Sequence, residues 1–267
     1  MKKALRGAAL VLVSVVLLSG CLQSQITVMV SSDGAGQVER TFVMKHEIVE
    51  MLAGMSGSTP EDFELYEDGE LEEEAASMGP GVTLASVEPI NSRFGRGYKA
   101  TFAFDDVNEL RVNQNPGDAM PTEGGSGGGE EAVEVVTFSL ERGNPAVLTV
   151  AMPQSDMEDG EQQDMGEMGE GPSQEDLEQM SEFYQDMRIG FSVEVLGSIV
   201  DTNATYREGN TVTLMDMDFN QILEDSEAMQ RLIQSEADSL VEVQELTENT
   251  PGVTVEFQEE VTVRFAD

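Results

Sequence analysis

The chain has 267 residues, 52 of them acidic and 14 basic, with one histidine, one cysteine and no tryptophan. Its net charge of −38 repels polyanions and argues against a nucleic-acid partner. A lone cysteine excludes an internal disulfide, and a lone histidine excludes a histidine-based metal cluster.

The first elements in chain order are a short positive segment (Lys2, Lys3, Arg6) and an apolar run over residues 8–18. That run is too short for a comfortable membrane span and has the length of a signal-peptide core. Leu18-Ser19-Gly20-Cys21 follows at once. It resembles the bacterial lipobox: a hydrophobic residue, two small residues, then cysteine. The resemblance implies cleavage between Gly20 and Cys21, a diacylglyceryl group on the Cys21 thiol and palmitate-type acylation of the new amino terminus. Two or more acyl chains anchor stably where one does not. Residues 1–20 are thus read as a lipoprotein signal peptide and 21–25 as a lipidated tether. Residues 26–267 are read as a single α+β envelope domain. Leu22, in place of aspartate, favours the outer membrane, facing the periplasm, by resemblance to Gram-negative sorting. Cleavage leaves 247 residues with 11 basic against 52 acidic groups, a net −41. Lysine is then confined to Lys45 and Lys99. A carboxylate-rich surface with so little lysine resembles proteins of halophiles. The sixteen methionines imply a soft, adaptable core.

Ile26, Val28 and Val30 alternate as a strand, Ser32-Asp33-Gly34-Ala35-Gly36 is turn chemistry, and Val38, Arg40 and Phe42 continue on a second strand. Met44, Ile48, Met51, Leu52 and Met55 fall at helical spacing. Thr59-Pro60 opens a predicted acidic surface helix over 61–78. Strands are expected over 82–90 and from Tyr98 to Phe104, with a turn at 94–97. Asp105-Asp106 then caps a short helical piece. Residues 113–130, rich in Gly and Pro, and 154–172, acidic and aperiodic, read as two disordered insertions. Between them, strands over 133–140 and 147–152 flank a hairpin turn. A helix from Ser173 carries Leu177, Met180, Tyr184 and Met187. Phe191 to Val195 is a strand, 199–206 and 211–217 form a hairpin pattern, and Asp218 caps a helix through Ile222 to Ile233. Val253 to Phe265 reads as a final strand broken at Glu259. The fold class is α+β: antiparallel β-sheet with hairpins and a few amphipathic helices.

Chemistry-bearing patterns are sparse. His46 lies off the apolar stripe of its helix and reads as a surface residue rather than a catalytic one. The glycines from Gly124 to Gly129 lack the Lys-Ser/Thr and the strand-to-helix setting of a phosphate loop. Asp216 and Asp218 share a face and could bind calcium, but a strand terminus and a helix cap is the stronger reading. Asp156, Glu158 and Asp159 lack the spacing of a calcium loop. Asn203-Ala204-Thr205 is a formal glycosylation sequon. The methionines at 44, 51 and 55 and at 180 and 187 line either an adaptable groove or, more simply, core. No catalytic residue, metal ligand or cofactor is assigned; the site residues are Gly20 and Cys21.

The lipobox, Asp33-Gly34-Ala35-Gly36, Leu196-Gly197-Ser198-Ile199, Asn203 and Gly209-Asn210-Thr211-Val212 together resemble a group of bacterial envelope lipoproteins that includes the LppM-like type. Many of that group carry a C-terminal membrane helix, and no apolar run after residue 21 is long enough to be one. The resemblance carries over no binding residue. The expected function is that of a non-enzymatic, lipid-anchored envelope protein that binds a hydrophobic ligand or an envelope protein. The alternatives are a structural accessory of outer-membrane assembly and a carboxylate-based hydrolase. Cys21→Ser is expected to leave the leader uncleaved or the product unacylated. Mass spectrometry of the purified chain reads this directly, and lipid on the variant refutes the assignment.

Overall fold

The computed structural model describes residues 22–66, 69–113, 135–153, 184–225 and 240–267. The leader, Gly20, Cys21, the insertion at 154–172 and all but Asn113 of that at 113–130 lie outside the described residues, as does most of the helix read from Ser173.

One sheet, sheet A, is built on β1 (Leu22–Val30) and β2 (Gly36–Lys45), joined by the predicted turn. Every second residue of β1 is buried: Leu22, Ser24, Ile26, Val28 and Val30. The tether read over 21–25 is therefore corrected from Leu22 onward. Leu22 is 2 % exposed and pairs with Met44 at the far end of β2. The 26–30 alternation extends backward through Leu22, but polar Gln23, Ser24 and Gln25 mask it in the sequence.

Next comes α1 (His46–Ser56), which buries Ile48, Val49 and Ala53 and ends at Gly57 in the left-handed region. Met44 belongs to β2, not to the helix. The acidic helix expected over 61–78 is reduced to α2 (Glu70–Ser77). Gly69 precedes it at φ +92°, a left-handed conformation that breaks any helix running through it. Nor does α2 lie free on the surface, since Leu71, Ala75 and Met78 are buried.

The hairpin of β3 (Thr83–Asn91) and β4 (Gly95–Phe104) extends sheet A beyond β2. Its turn is tighter than expected, so residues 95–97 are already strand. Asp106 caps a 3-10 turn over Val107–Glu109 by accepting from the Asn108 amide at 3.1 Å, as predicted. A second sheet, sheet B, then starts with β5 (Arg111–Asn113), β6 (Val135–Glu141) and β7 (Ala146–Ala151).

The chain returns to sheet A with β8 (Arg188–Val195), which pairs parallel to β1. All other strand pairings among the described residues are antiparallel. At Leu196-Gly197 it crosses to sheet B as β9 (Ser198–Thr202). A Cβ on Gly197 would stand 2.6 Å from the Ala266 carbonyl oxygen, so the crossing needs glycine. The hairpin expected between 199–206 and 211–217 is thereby overturned. β11 (Thr211–Asp218) pairs instead with β8 and with the two-residue β10 (Arg207–Glu208). Asp218 caps α3 (Phe219–Glu224) as predicted, accepting from Asn220 N at 3.1 Å. A further helix, α4 (Leu240–Glu248), is not anticipated by the sequence reading.

The final strand is also two strands. β12 (Val253–Val255) pairs with β11 in sheet A, while β13 (Glu260–Ala266) lies between β7 and β9 in sheet B. Glu256 makes the corner. It is 4 % exposed, and its carboxylate accepts from Thr205 N at 2.6 Å, Thr205 Oγ1 at 3.1 Å and Gln258 N at 3.1 Å. A buried charge is stable when it is saturated with donors in this way.

Residues of both sheets and of α1 and α2 enter one continuous hydrophobic cluster, with Val28, Phe42 and Phe102 beside Leu148, Val263 and Phe265. The other face of sheet A carries half-buried polar residues such as Thr27, Glu39, Lys99 and Ser192. Replacing Glu256 by alanine takes the carboxylate acceptor away from the Thr205 and Gln258 amides. It is expected to cost about 1–3 kcal/mol, measured by urea unfolding of the variant against the parent.

Candidate functional site

The inward face of sheet A has two covers, the α1–α2 segment toward one end and sheet B toward the other, and a cleft of about 460 Å³ opens where they meet. Its floor is Ile26 of β1 with Val38 and Arg40 of β2. One wall is α2, through Glu70, Glu73, Glu74, Ser77 and Met78. The opposite wall is Arg111, Val112 and Asn113 of β5 with Val135 of β6. The volume falls in the range of small-molecule sites, about 300–1,000 Å³.

Arg40 is the unusual residue of this floor. It holds an inward position of β2, between Val38 and Phe42 and opposite Ile26 of β1 and Ala100 of β4, and is 7 % exposed. Its Nη1 donates to Glu74 Oε1 from α2. Its Nε–H is buried and has no hydrogen-bond acceptor among the described residues. A guanidinium carries five N–H donors in a fixed plane, and a buried donor left unmade costs about 1–3 kcal/mol. Arg40 thus contrasts with Glu256, the other buried charged residue among those described, whose carboxylate is fully engaged.

An aromatic layer stands beside the cleft. Phe42 stacks on Tyr98 at 5.6 Å, and Tyr66 meets Tyr98 edge-on at 5.0 Å. Burial pushes the Tyr98 phenol up to about 12, with Arg40 opposing and Glu74 and Glu70 reinforcing the shift. The phenol therefore stays neutral where an exposed tyrosine ionises. The stability contributed by its burial is complete below the ordinary tyrosine range and is lost as pH rises toward 12.

The residues singled out from sequence are not brought together. His46 is half-buried, its Nε2 lying 3.0 Å from the Ser92 carbonyl. Asp216 holds Arg188 in a two-point pair at 2.9 and 3.0 Å, while Asp218 caps α3. The pair considered for calcium is thus split between an ion pair and a helix cap. Asn203 uses its side chain on backbone, accepting from Thr262 N at 2.6 Å and donating to Glu260 O at 2.9 Å. Of the first methionine set, Met44 is core, whereas Met51 and Met55 are 38 % and 72 % exposed, so they form neither a groove nor a core. Met187 is buried. Cys21, Gly20, Met180, the glycines at 124–129 and the carboxylates at 156–159 lie outside the described residues. Among the described residues, no group of three or more His, Cys, Asp or Glu side chains is placed to hold a metal. None of their helices is long and apolar enough to cross a membrane. Arg40 itself did carry a sequence signal: an arginine in the inward phase of Val38-x-Arg40-x-Phe42 must be buried with a partner. What the sequence did not name was the partner.

No family model matches this chain. No curated protein matches it either. Among solved structures it is similar to the NMR structure of the folded domain of LppM from Mycobacterium tuberculosis. The TM-score is 0.32 at 12 % identity, over 92 % of this chain and 91 % of that one. A score of that size does not establish a common fold, and no role is transferred from it.

Glu74→Ala is expected to leave the Arg40 guanidinium in the floor of the cleft without its carboxylate. The predicted loss is about 2–3 kcal/mol, below the fully buried case because the Glu74 side chain keeps 20 % of its exposure. Arg40→Met with Glu74→Met removes both charges and is expected to return stability to within about 1 kcal/mol of the parent. Chemical denaturation of the three chains measures both effects.

Proposed function

We propose that this chain is a lipid-anchored, non-enzymatic protein of the bacterial cell envelope that holds a hydrophobic ligand with a polar or acidic head in the Arg40 cleft. The observation that carries this reading is the buried guanidinium. Arg40 puts its guanidinium, with a buried and unmatched Nε–H, in the floor of a cleft that Ile26, Val38, Met78, Val112 and Val135 also line, so an apolar wall stands beside one cationic hydrogen-bond donor. A carboxylate or phosphate oxygen matches that donor, and an apolar tail matches the walls. The acidic rim of Glu70, Glu73 and Glu74 disfavours a ligand of high negative charge and restricts the head to a single acidic group.

A protein partner is the second reading. Val200, 60 % exposed, lies on β9, and β9 is an edge of sheet B. An open strand edge with an exposed apolar side chain is where another chain can add.

The test is native mass spectrometry of the acylated chain isolated from its own host's envelope. The wild-type chain is expected to carry a co-purifying small apolar mass, and Arg40→Met is expected to lose it while keeping its circular dichroism spectrum. A bare chain in both cases refutes the ligand. A protein mass alone moves the reading to an assembly role.

A further inference from the structure

We propose that the end of sheet A formed by the start of β1 and the end of β2 rests on the leaflet, with Met51 and Met55 of α1 seated among the lipid headgroups and upper acyl chains. This rests on the reading of Cys21 as the acylated residue.

The first consideration is chain length. Leu22, one peptide bond after Cys21, is already 2 % exposed and in register with Met44. Nothing remains to act as a spacer. Summing one Cα–Cα step, one strand spacing and two residues of chain puts Cys21 within about 15 Å of the start of α1. An anchored Cys21 therefore draws this end of the sheet to the bilayer.

The second is what that end presents. α1 starts directly after Lys45, and beyond its far end Pro60 still accepts from Arg96, a residue that pairs with Met44. The helix thus starts at the anchor end, and the chain that follows it is tied back to that end at Pro60. Its inner side buries Ile48, Val49 and Ala53. Its outer side carries Met51 and Met55, one turn apart, at 38 % and 72 % exposure. These are two of the four large apolar side chains exposed among the described residues. Lys45 lies over the half-buried Phe94 ring at 5.8 Å, and Arg93 is exposed beside it. Flexible apolar side chains flanked by an aromatic ring and by long cationic stems suit the interfacial layer. Glu47 and Glu50 are exposed on the same helix and stay at headgroup level, which favours a zwitterionic leaflet over an anionic one.

The third is an internal control. Leu196 is also exposed, at 47 %, but its amide donates to the Val30 carbonyl at the opposite end of β1. That is about 25–30 Å from Leu22 along the strand.

The experiment uses the acylated full chain in phosphatidylcholine vesicles, with a nitroxide on Met55→Cys, Met51→Cys or Leu196→Cys. A thioether at Cys21 does not react with the label. The expected result is that the chain floats with the vesicles. The labels at 51 and 55 should then show a several-fold higher ratio of oxygen to nickel-chelate collision rates than the label at 196. A floating chain whose labels at 51 and 55 are as water-accessible as that at 196 overturns the orientation and leaves the anchor standing. A membrane signal at 196 also overturns it. A chain that does not float, and whose Cys21 takes up label, removes the anchor and this proposal with it.

Discussion

Everything in this fold follows from the need to cover one apolar sheet face with two different layers. The inward residues of β1, β2, β4 and β8 form a continuous apolar surface that includes Val28, Phe42, Phe102 and Phe191. Burying each such side chain contributes about 1.5–3 kcal/mol, so leaving part of the surface open would be costly. Sheet B covers one part, and the segment carrying α1 and α2 covers the rest. The chain serves both sheets by passing between them repeatedly, with two of the passages at Gly197 and at Glu256. Two covers on one face leave a seam, and the Arg40 cleft is that seam.

The two buried charged residues among those described show how the seam differs from the rest of the interior. At the Glu256 corner the fold supplies every donor the carboxylate needs, and the residue behaves as a structural tie between the sheets. At Arg40 the fold supplies Glu74 and stops, leaving Nε–H unmatched. Replacing a buried pair by apolar groups of similar size is often neutral or stabilising, so an ion pair at this position is not explained by stability. In the proposed function it serves a group that enters the cleft and meets the guanidinium.

The same geometry relates the cleft to the proposed anchor. Ile26 lies four residues along β1 from Leu22, so the cleft floor begins about 13 Å from the anchor end. Between them stands the packed layer of Phe42, Tyr98 and Tyr66, and the helix with the exposed methionines closes the end.

Strong local patterns were legible in the sequence. The 26–30 alternation, the Asp33-Gly34 turn, the strands read over 133–140 and 147–152 and the caps at Asp106 and Asp218 depend on nearest neighbours and turn chemistry, and each is found, the two strands at Val135–Glu141 and Ala146–Ala151. Composition alone argued against nucleic acid and excluded a disulfide and a histidine metal cluster. It could not show which strands pair. The residues 199–206 and 211–217 read as a hairpin because a short turn links them, yet β9 and β11 lie in different sheets, a choice made by the close passage at Gly197. Residues 253–265 read as one strand because their alternation survives Glu259, while tertiary pairing divides them between the sheets. Arg40 was visible as a polar residue in an apolar phase. Its burial, its pairing with Glu74 and its place in a cleft depend on α2 and β5, which are distant in sequence. The sequence by itself determined the local elements, the charge and the lipobox resemblance, because these are written in short-range patterns. Only the tertiary structure decided the sheet partition, the seam and the chemistry gathered in it, because those come from contacts between segments that no local pattern links.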